Sequence, residues 1–408
     1  MSFFLVNYNS KRVSMKIAGK ILLIFSVLIF TGTTMASPAL SEGIKVGIIL
    51  PLTGKLAEFG EIEKNSFLMA VEEINSAGGV YGKKISLVIE DTAGISRVGC
   101  LAVKKLIEQD EVVVIGGGFS SSVTWAASAI AEKQKVPFLI NTASADKITE
   151  MGRKFVFRLN PPASEHLKTL ASFMTKAVRV KSVAILHENT PLGNYGSKKF
   201  NKLCKKIGVR VVMKEGYEPG IIDFHPLLLK VEVKKPDLVY IISHIKDASL
   251  LLQQARELSL RPKLFLGHGA GFGLPAFRKL AGEVSEYLYS SSLWTFSIPY
   301  PGAKGFYERY NAKYDAPTGY HGAEAYAAMY VIWDALKRAR SFKHEDMRDA
   351  LSETDIMTVF GPVKFVSYGR KTQQNSLPAY LFQWINGKLE TVWPREVATE
   401  KYVYPLPE

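Results

Sequence analysis

Residues 112–147 read VVVIGGGFSSSVTWAASAIAEKQKVPFLINTASADK. The run 112–115 is apolar and β-branched, the pattern of a strand buried on both faces. Three glycines follow, then Phe119 and the serines 120–122, where apolar residues begin to recur at helical spacing. Serine is a favoured residue at a helix start. Free N–H groups and the positive end of the helix dipole at that start suit an anion, a carboxylate as well as a phosphate. Glycines at such a turn let a ligand approach the backbone. A second apolar run, 136–140, ends in Asn141, Thr142, Ala143 and Ser144. Two neighbouring strand ends bearing small hydroxyl residues point to one small pocket at the C-terminal edge of a parallel sheet. The plainer alternative is that glycine and serine merely cap a helix here.

The same alternation extends in both directions. Strands are expected at 44–50 and 85–91, with helices at 61–77 and 96–110. The sequence RLNPP at 158–162 breaks the pattern, since two prolines favour an extended crossing. Strand and helix then alternate again from 163 to 267, as a second unit built like the first. Residues 287–291 and 361–365 read as two further crossings, with long helices between them. Residues 379–385 and 388–392 flank Asn386-Gly387, a hairpin signal. The fold class expected is α/β, with two lobes, each a mostly parallel sheet flanked by helices. Lobe one is assigned 44–160 plus 290–360, and lobe two 161–289 plus 361–408.

Composition agrees with a two-lobed globular chain. There are 408 residues, too many for one compact core, and 47% are hydrophobic. The net charge is +14, but lysine and arginine alternate with acids, without the dense basic block of a nucleic-acid module. Neither cysteine, Cys100 or Cys204, has a metal-binding or redox spacing, so two unpaired thiols are expected. At the N-terminus, a basic segment 11–20, an apolar segment 21–30 and small residues 31–39 form a secretory leader, 1–39. Cleavage is expected after Ala36 or Ala39, and Met15 is an alternative start. The apolar run is about ten residues, short of the roughly twenty that span a membrane.

Four segments carry a family resemblance: IKVGIILPLTG at 44–54 with a later Phe-Gly, AVEEINSAGGVYGKKISLVIEDTAG at 70–94, residues 112–147, and GPVKF at 361–365. In these the chain resembles the type I periplasmic solute-binding proteins, in the leucine/isoleucine/valine-binding group that feeds ABC importers. The resemblance covers about residues 44–393 and implies two lobes joined by three crossings. It places the carboxylate-binding serine on Ser120, with the Ser121 N–H nearby. It places a second hydroxyl on Ser144, preceded by Thr142 and Ala143, whose carbonyls would face a ligand amine. Phe59 would form an aromatic wall. His244 stands where the family has a lobe-two tyrosine, and Leu192 where it has an aromatic that Tyr195 would replace. Tyr320 matches an aromatic-bearing loop loosely. Gly269 stands where amino-acid binders often carry a glutamate for the substrate ammonium, with Glu188 or Asp247 as alternative partners.

The resemblance implies an exported, periplasmic, monomeric binding subunit, not an enzyme. It would hold no metal or cofactor, bind no nucleic acid, and present a small carboxylate-bearing solute to an ABC permease. If the ammonium partner is missing, the ligand is an acid without an ammonium, an amide or an aromatic compound. Two rivals remain at this stage. One is a ligand-presenting sensor for a membrane receptor. The other is a hydrolase built on Ser120, disfavoured by the lack of a G-x-S-x-G elbow.

Overall fold

The computed structural model describes residues 43–268 and 271–407, apart from the side chains of His166, Pro191 and Leu192. The leader 1–39 and Gly269 lie outside the described residues, and Leu192 is described in its backbone alone.

The first half begins with β1 (Ile44–Leu50), β2 (Ile85–Asp91), β3 (Val114–Gly117), β4 (Phe138–Ile140) and β5 (Val156–Arg158). Between them run α1 (Ala57–Ser76), α2 (Ser96–Glu108) and α3 (Ser121–Lys133). These five strands are parallel, in the order β5-β4-β3-β1-β2. β1 and β3 are almost wholly buried, as their unbroken apolar runs require of strands covered on both faces.

The second half follows with α4 (Ala163–Ser172), β6 (Ser182–Glu188), α5 (Pro191–Lys206), β7 (Arg210–Tyr217) and α6 (His225–Lys234). It continues with β8 (Leu238–Ile242), α7 (Ile245–Glu257), β9 (Leu264–His268), α8 (Pro275–Ala281) and β10 (Tyr289–Ser292). Its parallel order is β10-β9-β8-β6-β7.

The chain then returns to the first half with α9 (Ala303–Tyr314), α10 (Tyr320–Arg338), α11 (His344–Ser352), β11 (Asp355–Thr358), β12 (Gly361–Tyr368) and β13 (Lys371–Asn375). It ends on β14 (Tyr380–Ile385) and β15 (Lys388–Trp393) in the second. The alanine-rich α10 buries one face against α1, and the Trp333 indole N–H reaches the Gly79 carbonyl at 2.9 Å where α1 ends. The hairpin read at 386–387 is present: β14 and β15 pair antiparallel, with Asn386 at φ 51° and Gly387 at φ 73°.

Two boundaries differ from the sequence reading. β12 and β13 belong to the first sheet, where Gln374 pairs with Arg158 of β5, so the third crossing is 376–379 rather than 361–365. β10 lies wholly in the second sheet, so the second crossing follows Ser292. The polar sequence KTQQN of β13 gives no strand signal; Gln374 and Asn375 are buried by hydrogen bonding rather than by hydrophobicity. Gln374 accepts from Arg158 Nε at 2.6 Å and donates to the Asn160 carbonyl at 2.9 Å, while Asn375 donates to the Leu159 carbonyl at 3.2 Å. The first and third crossings are thereby tied side by side.

All three crossings leave from C-terminal strand ends: β5 into α4, β10 into the segment before α9, and β13 into β14. The C-terminal edges of the two parallel sheets therefore lie toward each other, the position in which α/β proteins bind ligands.

Candidate functional site

The GGG turn after β3 is shaped by packing. Gly117 has φ 107°, and a Cβ there would collide with the Ile49 carbonyl of β1. Gly118 has φ 94°, and its Cβ would meet Thr124 Oγ1 at 2.9 Å. Gly117 thus lets β3 pass close to β1, and Gly118 lets the turn pass close to α3. Beyond them Ser120 occupies the N-terminal position of α3 with φ −73° and ψ 125°. Its side chain caps nothing. Its hydroxyl meets Ser122 Oγ at 3.1 Å, and it is half-buried. Ser121 Oγ accepts the Ala145 N–H at 3.2 Å, tying the β3–α3 turn to the loop after β4. Ser144 is half-buried in that loop.

Thr142 and Ala143 face inward instead. Thr142 and Ala143 are buried, and their carbonyls accept from the Asn160 amide and, at 3.2 Å, from Arg158 Nη1. Both carbonyls help to fasten the first crossing. The Thr142 hydroxyl donates to Glu63 Oε1 at 2.6 Å, and Asn141 Nδ2 donates to Glu63 Oε2 at 2.8 Å.

An aromatic group stands beside Ser120. Phe59 and Phe119 stack with ring centroids 5.2 Å apart and planes at 18°. His321 lies 5.1 Å from each of them, and Tyr320 lies 3.9 Å from His321. Phe59 is thus one ring of an aromatic cluster. Tyr320 joins it through His321, and burial, with the nearby Glu324 and Glu63 carboxyls, drives its phenol pKa upward. Beneath the cluster sit Glu63 of α1 and Glu324 of α10, both without solvent exposure. Burial pushes the Glu63 carboxyl up to about 7 against the hydrogen bonds from Thr142 and Asn141. Burial and the charge of Glu63 raise Glu324 well above the usual range, and neither Glu324 oxygen has a hydrogen-bond partner. Burial pushes His321 down to about 3, so its ring is neutral at physiological pH.

On the second sheet, His244 ends the loop after β8 and opens α7. Its side chain is 64% exposed, and its Nδ1 lies 2.6 Å from Oε2 of the buried Glu188. Glu188 Oε1 also accepts from Ser243 Oγ at 2.9 Å and from the His244 N–H at 2.6 Å. Asp247 is buried, and its Oδ2 accepts the Gly220 N–H at 2.7 Å. Tyr195, on α5, is exposed, with the Lys199 ammonium 5.2 Å over its ring. The structure therefore gathers Ser120, Ser121, Ser144, Phe59 and Tyr320 on the first sheet's edge. It holds His244 and Tyr195 on the second, with no hydrogen bond or ring contact joining the two sets among the described residues.

Phe119, His321, Glu63 and Glu324 escaped the sequence reading. The two glutamates had a detectable signal: each interrupts the buried face of a helix, Glu63 with Phe67 and Ala70, and Glu324 with Ala327, Ala328 and Val331. Both cysteines are free, as expected from their spacing. Among the described residues no helix is long and apolar enough to cross a membrane, and no group of three or more His, Cys, Asp or Glu is placed to hold a metal ion.

A sequence model of the family described as periplasmic binding protein matches residues 43–388. The Leu/Ile/Val-binding protein homolog 7 of Brucella suis biovar 1 is 32% identical over 390 residues, covering 91% of this chain and 96% of that protein. The branched-chain amino acid transporter substrate binding protein of Streptococcus pneumoniae, solved with isoleucine, aligns at a TM-score of 0.68 and 27% identity, over 89% of this chain and all of that one (100%). A solute binding protein of an ABC transporter from R. palustris, solved with benzoate, aligns at a TM-score of 0.66 over 88% of this chain and 97% of that one. Its 21% identity speaks to the shared fold alone.

Proposed function

Because the chain belongs to the periplasmic binding protein family, we propose that it is the exported substrate-binding subunit of an ABC importer. It captures a small carboxylate-bearing solute between the two sheet edges and releases it unaltered to a permease. The carrying observation is Ser120, which begins α3 with a hydroxyl that caps no backbone group, beside an aromatic wall. The ligand carboxylate accepts from this hydroxyl and from the first N–H groups of α3, with Ser144 alongside. Phe59, Phe119 and Tyr320 shape the first-lobe side, and His244 and Tyr195 approach from the second. Lobe one then comprises both parts of the first sheet, 44–158 and 303–375, and lobe two the segments 163–292 and 380–393. Closure about the three crossings buries the ligand, and the closed shape is what the permease recognises.

The chemistry of Ser120 favours binding over catalysis. A serine nucleophile needs a base within hydrogen-bond reach, whereas Ser120 meets another serine and His244 is committed to Glu188 in the other half. Titration calorimetry against carboxylates tests the reading. Ser120→Ala is expected to weaken binding by about 1–3 kcal/mol, the worth of a hydrogen bond to a charged acceptor. Full affinity in that variant, with the protein folded, would contradict the placement of the carboxylate.

A further inference from the structure

Basic and acidic residues alternate along most of this chain, and α5 is an exception. Its buried face is Phe200, Leu203 and Cys204, packed into the core of the second half. Its exposed face carries Lys198, Lys199, Lys202, Lys205 and Lys206, and the helix holds no acid. Helices α1–α4, α6, α7 and α9–α11 each contain at least one Asp or Glu. Lys168, Lys230 and Lys263, in the same half, find carboxylates on Glu165, Glu215 and Asp237 at 2.6, 3.8 and 2.9 Å. Among the described residues, none of the lysines on α5 does. β7 packs against α5 and extends the patch: Lys205, Arg210 and Lys214 line one groove of about 420 Å³. Glu215, the acid next to Lys214, is turned to Lys230.

This arrangement works against the helix. Lys202 lies three or four residues from each of Lys198, Lys199, Lys205 and Lys206, so like charges crowd one stripe. The helix dipole relieves Lys205 and Lys206 alone, in the last turn. Solubility does not require the stripe, because mixed charges keep the other helices hydrated without the repulsion. Arg210 and Lys214 have a second reason to be basic: β7 is the open edge of its sheet, and charge there discourages strand pairing. A helix has no such edge to guard.

We propose that the α5–β7 face docks on an anionic phospholipid surface and keeps the exported protein at the membrane rather than free in bulk. This rests on the exported location and is independent of where the ligand binds. An exported protein meets phospholipid headgroups and not nucleic acid. Lysine is a compact, hydrated charge on a flexible stem, suited to diffuse attraction by many phosphates rather than to a two-pronged grip on one. Each such side chain adds attraction within a Debye length of an anionic leaflet, and a stripe free of acids lets the contributions sum.

Co-sedimentation with vesicles tests this, using the protein as its host exports it. The parent is expected to sediment with vesicles of equal parts phosphatidylglycerol and phosphatidylcholine and to stay in solution with phosphatidylcholine alone. Its apparent Kd should rise at least about tenfold between roughly 50 mM and roughly 300 mM NaCl, as screening shortens the reach of each charge. Lys198→Gln, Lys199→Gln, Lys202→Gln, Lys205→Gln and Lys206→Gln, made together, should weaken capture about tenfold or more at the lower salt. A matched variant of exposed lysines in the first half, Lys84→Gln, Lys104→Gln, Lys133→Gln, Lys135→Gln and Lys343→Gln, removes the same charge. It should bind within about threefold of the parent, since distant charges are screened. Thermal unfolding shows that both variants are folded. Equal weakening by the two variants would overturn the inference, because net charge rather than this face would then set the attraction. A parent protein that ignores the anionic vesicles would overturn it too. Capture by soluble polyglutamate but not by vesicles would do the same and assign the face to an acidic protein.

Discussion

A carboxyl group sealed from water holds its proton to higher pH, and Glu63 is such a group, raised from 4.5 to about 7 by burial. The sign for stability follows. Below the unfolded value both states are protonated, and the contribution is fully present. Between 4.5 and about 7 the folded state binds more protons than the unfolded one, so stability falls as pH rises through that window. The loss from Glu63 is on the order of 3 kcal/mol, and Glu324, also raised, adds in the same direction. Thermal unfolding between pH 5 and 8 should show a falling midpoint, with a shallower slope in Glu63→Gln. An unchanged slope in that variant would contradict the assignment. Ser120 was legible as a candidate because a serine run opens a helix straight after a glycine-rich strand end, and only the structure shows that its hydroxyl caps nothing. Glu63, His321 and Phe119 were not, because their role comes from three segments far apart in the chain, and a single carboxylate on an apolar face carries little meaning until its neighbours are known.

The β3 turn illustrates the next scale. Strand and helix were readable from periodicity, but the purpose of the glycines was not, because it depends on how closely β1 and α3 approach. Gly117→Ala is expected to destabilise the fold by about 2–4 kcal/mol, combining a positive φ with a collision against the Ile49 carbonyl. Chemical denaturation measures this; a loss below about 0.5 kcal/mol, the level of an indifferent surface site, would show that the strands can separate without cost. β13 marks the opposite limit. Its glutamines and asparagine look like a loop, and they become a strand because Arg158, Asn160 and Leu159 supply their partners. Hydrophobic patterning cannot announce a strand whose burial is satisfied by hydrogen bonds.

Taken whole, the molecule is two similar α/β halves whose crossings all depart from the same kind of strand end. That single topological fact turns both C-terminal edges inward and sets Ser120 and Ser144 on one side, His244 on the other. The duplication was visible in sequence as a pattern that stops at 158–162 and starts again. The sheet to which the last strands return was not, since a crossing can be placed on either side of a polar hairpin with equal local plausibility. Function follows from the inward edges, so the most direct measurement is a crystal structure of the protein purified from its host with its own cargo bound. The account predicts an unaltered acid between the two sheets, its carboxylate against Ser120 and the start of α3. Cargo lying elsewhere, or chemically changed, or with its carboxylate away from Ser120, would contradict it.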